Sequence, residues 1–220
     1  MQLTKSLDRQ NISEELANTI RRMIVGGAIA AGSRINEVRL ARDLGVSRTP
    51  LREAIARLER EDALVVVPRI GAFVKPLTAE EFEQIYPIRA LLDPEALRLA
   101  GLPTRPHIDR LERLNSRIVA AADPDAIIML DDEWHLLLIQ ACPNKVLIDL
   151  IQKFMCRTRR YELALMRERK QVDVATDTHS EIIAALRRGE LELAAGILKH
   201  NLETGGEPIR RWLLEREIRS

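Results

Sequence analysis

Aromatic residues make up only 3% of the 220-residue chain. Any core must therefore be assembled mainly from Leu, Ile, Val and Ala, a set that suits helices. Cysteine is equally scarce. The two present, Cys142 and Cys156, form no CxxC pattern, so neither a disulfide framework nor a zinc ribbon is indicated. No apolar run reaches the roughly 20 residues that span a bilayer. The opening Met1-Gln2-Leu3-Thr4-Lys5-Ser6-Leu7-Asp8 lacks the apolar stretch of a secretory signal. These absences together predict a cytoplasmic protein with no membrane partner. Net charge is also nearly missing, at +1.

What is present is a soluble globular composition, 46% hydrophobic and 30% charged, long enough for one large domain or two small ones. The small net charge hides an asymmetry. Residues 1–76 carry 13 Lys and Arg against 9 Asp and Glu, whereas residues 77–220 carry 21 against 24. A basic front and an acidic back fit a DNA-binding head joined to a body that does not bind DNA.

Periodicity divides the chain at the same place. Ser13 is a plausible N-cap for a helix to Val25, with Leu16, Ile20, Met23 and Ile24 at helical spacing. Gly26-Gly27 ends it. A short helix follows over Glu37–Leu44, then a Gly45-Val46 corner, then a third helix from Ser47 to Glu61. The period then changes: Leu64-Val65-Val66-Val67 and Ala72-Phe73-Val74-Lys75 flank the turn Pro68-Arg69-Ile70-Gly71, which predicts a hairpin. Three helices and a hairpin within residues 1–76 spell a winged helix-turn-helix. From Thr78 on, no strand signal survives. Thr78 and Glu81 form a capping box for a helix to Leu99, bent near Pro87 and Pro94. Helices are expected over Thr104–Ala122, Asp125–Ala141, Asn144–Arg169, Val172–Arg188, Glu190–Glu203 and Pro208–Glu217. The expected fold is mainly α, a winged helix-turn-helix followed by an all-helical bundle over residues 77–220.

In the third helix, Leu51, Ile55 and Leu58 make a core face, while Arg48 and Arg52 share another face with Thr49. Recognition helices reach base edges with their N-terminal residues, and Arg can fork onto guanine O6 and N7. Ser47 and Thr49 can reach phosphates, and Gly71 beside Arg69 at the hairpin tip allows close backbone approach to the minor groove. The run from Ile35 to Ile55, with Leu44-Gly45-Val46-Ser47-Arg48-Thr49-Pro50-Leu51-Arg52-Glu53-Ala54 at its centre, resembles the GntR family signature. Leu58-Glu59-Arg60-Glu61-Asp62-Ala63-Leu64 and Gly71-Ala72-Phe73-Val74 are similar to its helix-to-wing segment. One departure stands out: Ala63 occupies a position that is usually Gly. The resemblance implies DNA contacts by Ser47, Arg48, Thr49, Arg52, Arg69 and Gly71.

The four histidines fall in the second part. Asp131 and His135 are one turn apart, His179 precedes the Ile182-Ile183-Leu186 face, and His200 lies near a helix end. Helices of a bundle can converge such groups on a metal, and three imidazoles with one carboxylate suit Zn, Ni, Mn or Fe. Spacing alone equally allows satisfied polar side chains on amphipathic helices. An all-helical domain after a GntR head resembles the FadR-like branch, whose ligand-binding domain is called FCD. That resemblance implies a divalent metal, Zn foremost, held by Asp131, His135, His179 and His200. It favours Asp131 over Asp132 and leaves His107 at the surface. It also implies that Arg89, in Ile88-Arg89-Ala90, points inward to grip a small carboxylate effector; a surface bridge to Glu95 or Asp93 is the alternative. The facing of Arg157, Arg159 and Arg160 is open.

The resulting expectation is a ligand-responsive transcriptional regulator, a repressor by analogy, and not an enzyme. It would act as a homodimer on a near-palindromic double-stranded operator, with recognition helices about 34–36 Å apart. Two rivals are a metal-dependent hydrolase, for which no HExxH element is present, and a DNA-binding protein with a purely structural metal.

Overall fold

The structure, a computed structural model, describes residues 2–169 and 176–219, the side chains of residues 2–11, 169 and 219 excepted. The chain divides into two compact units, residues 1–77 and 78–220.

The first unit holds α1 (Gln2–Val25), α2 (Glu37–Asp43), α3 (Arg48–Arg60), β1 (Leu64–Val67) and β2 (Gly71–Val74). The helix α1 begins well before Ser13, which is therefore interior and not a cap. Residues 2–12 contain neither Gly nor Pro, so nothing in the backbone halts the helix there. Asn36 caps α2, its side-chain oxygen accepting from the Arg39 amide at 3.0 Å. Leu16, Ile20 and Ile24 of α1 bury against Leu51, Ile55 and Leu58 of α3, with Leu64, Ala72 and Val74 of the hairpin closing the core. The strands pair antiparallel with Leu64 opposite Val74 and Val67 opposite Gly71. A winged helix-turn-helix results.

The corner between α2 and α3 turns on Gly45, whose φ is +67°. The residue entering β1 has the same requirement. There Asp62 takes the left-handed conformation, at φ 62°, so Ala63 is not strained. Aspartate tolerates that region better than most side chains, and its carboxylate pairs with Lys75 at 2.6 Å.

The second unit is all helical: α4 (Ala79–Ala100), α5 (Arg105–Ala120), α6 (Pro124–Leu138), α7 (Lys145–Arg169), α8 (Thr176–Arg187), α9 (Leu191–Thr204) and α10 (Glu207–Arg219). The Thr78 hydroxyl caps α4 by accepting from the Glu81 amide at 3.2 Å. That helix continues through Pro87 and Pro94. The expected start of α8 at Val172 lies outside the described residues. Helix α4 packs on α7 and α9, α8 on α5 and α9, and α6 on α5 and α7. The shared core is aliphatic, from Leu97, Leu111, Ile118, Ile151, Ile182 and Leu198, with the indole of Trp134 fully enclosed within it.

Gly45 gives a clean stability test. A Cβ there would meet nothing within 4 Å, so Gly45→Ala changes only the backbone term. The expected loss is about 1–2 kcal/mol, read as a lower urea midpoint, with Gly45→Asn losing less.

Candidate functional site

A few polar groups of the second unit lie inside its core. Asp131 and His135 project from one face of α6, and His179 from the first turn of α8. Their ligating atoms all lie within 4.8 Å of one another. The two oxygens of Asp131 each face a different ring: Oδ2 is 3.7 Å from His135 Nε2, and Oδ1 is 3.6 Å from His179 Nε2. The imidazoles meet edge to face, with centroids 5.3 Å apart. Trp134 stacks flat on His179 at 3.7 Å and 8°. His135 and His179 are 4% and 0% exposed.

Burial sets the protonation of this group. It pushes the Asp131 carboxyl up to about 7, with Glu162 adding to the rise and Arg89 opposing it. It pulls His179 down to about 3, and it holds His135 well below the usual imidazole range, aided by Arg89 and His179. Both rings are therefore neutral at physiological pH and carry a lone pair, as metal binding requires. Two buried ring nitrogens, His135 Nδ1 and His179 Nε2, have no hydrogen-bond partner among the described residues. Such orphans cost roughly 1–3 kcal/mol each. Two imidazoles and a carboxylate with an unpartnered donor atom fit a divalent ion, with open positions left for water or ligand.

His200 does not join them. It is exposed, whereas its neighbours Leu198, Asn201 and Leu202 form the buried face of α9. One residue turns a helical side chain by about 100°, so His200 points away and Asn201 stands at the inward position. His107, expected at the surface, is instead half-buried, with Nε2 2.8 Å from the Leu137 carbonyl oxygen at the end of α6.

Arg89 enters the same polar centre from α4 and is 4% exposed. Its Nη2 donates to Asp93 Oδ2 at 2.8 Å, while Arg89 Nε and Asp93 Oδ1 remain without partners among the described residues. The bridge to Asp93 thus exists, but it is internal. Burial also raises the carboxyls of Asp93 and Glu162, each opposed by Arg89. Sequence reasoning missed Glu162, since one Glu on the long helix α7 carries no local signature. The cluster of Arg157, Arg159 and Arg160 on α7 separates: Arg157 donates to Glu81 at 2.6 Å, Arg159 pairs with Asp132, and Arg160 is buried. Asp132 is thereby engaged away from the histidines.

In the first unit, Ser47, Arg48, Thr49 and Arg52 are exposed at the start of α3. Arg52 Nε donates to Glu37 at 2.9 Å. Ser47 sits at the N-cap position with extended backbone and makes no side-chain cap bond. Arg69 is at the hairpin tip with φ 65°. An open concavity of about 850 Å³ lies between α3 and the hairpin, and Arg34, Arg48, Arg52 and Arg69 line it. Arg34 was not foreseen; it pairs as an isolated bridge with Phe73 beside the wing. Gly71 has a structural reason of its own, because a Cβ there would lie 3.1 Å from Arg34 Nε.

A winged head with a basic concavity, followed in sequence by a helical unit with a buried carboxylate–imidazole group, defines a two-domain regulator architecture. Residues 12–74 match the bacterial regulatory proteins of the gntR family, and residues 84–204 match the FCD domain. The chain belongs to the GntR family of transcriptional regulators, in the branch that carries an FCD domain. It is 34% identical over 185 residues to the Nta operon transcriptional regulator of Aminobacter aminovorans, covering 81% of this chain and 85% of the relative. It is 30% identical over 206 residues to an HTH-type transcriptional regulator of Bacillus subtilis, covering 86% and 92%. Others among its relatives are named as repressors, including the gluconate operon transcriptional repressor of Bacillus licheniformis. Its fold is similar to that of McbR/YncC of Escherichia coli, with a TM-score of 0.76 at 23% identity over 91% of this chain and 98% of that one. Among the described residues, no helix is long and apolar enough to cross a membrane.

The raised Asp131 would make the uptake of a divalent ion at this group proton-linked. At pH 6 its carboxyl is mostly protonated while both rings are already neutral. Loading a divalent ion should therefore release about one proton at pH 6 and close to none at pH 8. Calorimetry in buffers of different ionisation heat measures this directly, and Asp131→Asn should abolish the difference.

Proposed function

We propose that the chain is a ligand-responsive repressor in which residues 1–76 bind a near-palindromic operator and residues 77–220 sense a small organic acid and pair two copies into a homodimer, in the cytoplasm. The observation that carries this reading is the burial of Arg89 in the polar centre that contains Asp131, His135 and His179. A soluble bundle has no folding reason to enclose a guanidinium beside the buried Asp93 and the half-buried Asp131 and Glu162, since replacing buried ions by apolar groups is often neutral or stabilising.

Asp131, His135 and His179 would hold a divalent metal, Zn foremost with Ni, Mn or Fe as alternatives, and that ion supplies positive charge for a ligand oxygen. Arg89 grips a ligand carboxylate through the guanidinium edge that carries its unpartnered Nε, while Nη2 keeps Asp93. Affinity for the ligand must differ between DNA-competent and DNA-incompetent states, since only differential binding shifts an equilibrium. In the head, Arg48 and Arg52 read base edges, with Ser47 and Thr49 on phosphates and Arg69 at the wing tip. Arg34 lines the same concavity and adds to the phosphate-binding charge.

One observation favours a second reading, a metal with a purely structural role. Arg89 already has a carboxylate, Asp93, so the centre is partly neutralised without any ligand. Titrating dicarboxylates and sugar acids with and without chelator separates the two. Heat that depends on both metal and Arg89, and is lost in Arg89→Met, is expected for the sensor. Metal binding with no heat from any acid supports the structural role.

For the head, Arg48→Ala should weaken operator binding by about 1–3 kcal/mol, roughly 5- to 150-fold, and relax sequence preference. The circular-dichroism spectrum should not change, because the Arg48 side chain is exposed. Footprinting at fixed salt checks both.

A further inference from the structure

We infer that Asn115 is a positioning residue for the metal centre: its amide oxygen fixes the Nδ1–H tautomer of His179 and so presents the Nε2 lone pair to Asp131. The inference rests on the reading of Asp131, His135 and His179 as metal ligands, but its central step concerns the metal-free protein.

Asn115 is buried on α5, and its amide has one consistent orientation. Nδ2 donates to the Thr176 carbonyl and to Ser180 Oγ, both at 3.1 Å. Ser180 Oγ itself donates to the Thr176 carbonyl at 3.0 Å, so its hydrogen is used and its lone pair accepts from Asn115. A flipped amide would set Oδ1 against the Thr176 oxygen, two acceptors with no proton between them. Both Nδ2 protons are therefore assigned, and Oδ1 is the atom 3.1 Å from His179 Nδ1.

Amide oxygen can only accept, so Nδ1 must carry the proton. A neutral imidazole has a single N–H, which leaves Nε2 as the acceptor. That nitrogen is fully enclosed, makes no hydrogen bond among the described residues, and faces Asp131 Oδ1 at 3.6 Å. Trp134 lies flat on the ring, which fixes its plane while Asn115 fixes its in-plane direction. Three helices thus set one ring: α5 through Asn115, α6 through Trp134 and Asp131, and α8 through the backbone. Orienting partners of this kind decide which ring nitrogen meets a metal.

The test begins with metal-free protein. Long-range proton–nitrogen-15 correlation of the imidazoles should show His179 as the Nδ1–H tautomer. Zinc titration then compares wild type with Asn115→Leu, which removes the acceptor at similar volume. Asn115→Leu should lose the single tautomer and bind zinc roughly 10- to 100-fold more weakly. An Nε2–H tautomer in the wild-type protein overturns the inference without reference to any variant, as does unchanged zinc affinity in a folded Asn115→Leu. The Nδ1–H form in a wild-type protein that takes up no zinc upholds the tautomer assignment and overturns the metal reading alone.

Discussion

A carboxylate held between two neutral imidazoles, in an interior built of Leu, Ile and Ala, is the interaction on which the helical unit turns. Burial raises Asp131 and lowers both histidines, so the bare centre tends toward a state with no formal charge and few hydrogen bonds. That state is folded but unsatisfied. The aliphatic core around it supplies the stability, while the centre supplies orphaned donor atoms that gain by meeting a cation. Stability and binding capacity are thus divided between two sets of residues on the same helices, which lets the site remain incomplete without unfolding its frame.

The head solves the opposite problem. Its function needs charge at the surface, and Arg48, Arg52 and Arg69 are all solvent-facing, supported by backbone that is fixed from behind. Leu51, Ile55 and Leu58 anchor α3, Gly45 sets the corner before it, and the Asp62–Lys75 pair holds the entry to the hairpin. The Arg52–Glu37 contact is exposed on the arginine side, so it contributes little to folding. It can be exchanged for a phosphate or a base edge at small loss.

Much of this was legible in residue order. The helix, corner, helix and hairpin of the head follow from period changes and from Gly45 and the Pro68–Gly71 turn. The Asp131–His135 pair followed from one-turn spacing. What was not legible has specific causes. His200 sits one position from the inward face of α9, and a single residue rotates a side chain by about 100°, so approximate spacing cannot distinguish it from Asn201. The start of α1 depended on Ser13, whose capping preference is overridden when nothing before it breaks a helix. Ala63 looked out of place only because the left-handed residue was sought there, and it is Asp62. Glu162 and Asn115 come from helices distant in sequence; only the packing of α5 on α6 and α8 makes Asn115 a neighbour of His179, and only the packing of α7 on α6 brings Glu162 near Asp131.

The placement of the centre bears on how it could act at a distance. Arg89 lies on α4, Asp131 and His135 on α6, Glu162 on α7, and His179 on α8, so the group samples four helices at once. Around the centre these helices meet mainly through apolar contacts, which are non-directional and tolerate small slides, while the Arg157–Glu81 and Arg159–Asp132 pairs tie α7 to α4 and α6. A bound ion or acid adds directional bonds, which reward only one set of helix positions. Such a ligand stabilises one arrangement of the bundle over others by the difference in its own affinity, and by reciprocity whatever selects that arrangement raises affinity for the ligand. The same burial that leaves Arg89 and His179 unsatisfied is therefore what would give a ligand leverage under the proposed function, because a solvated site would exchange protein contacts for water with little preference between states.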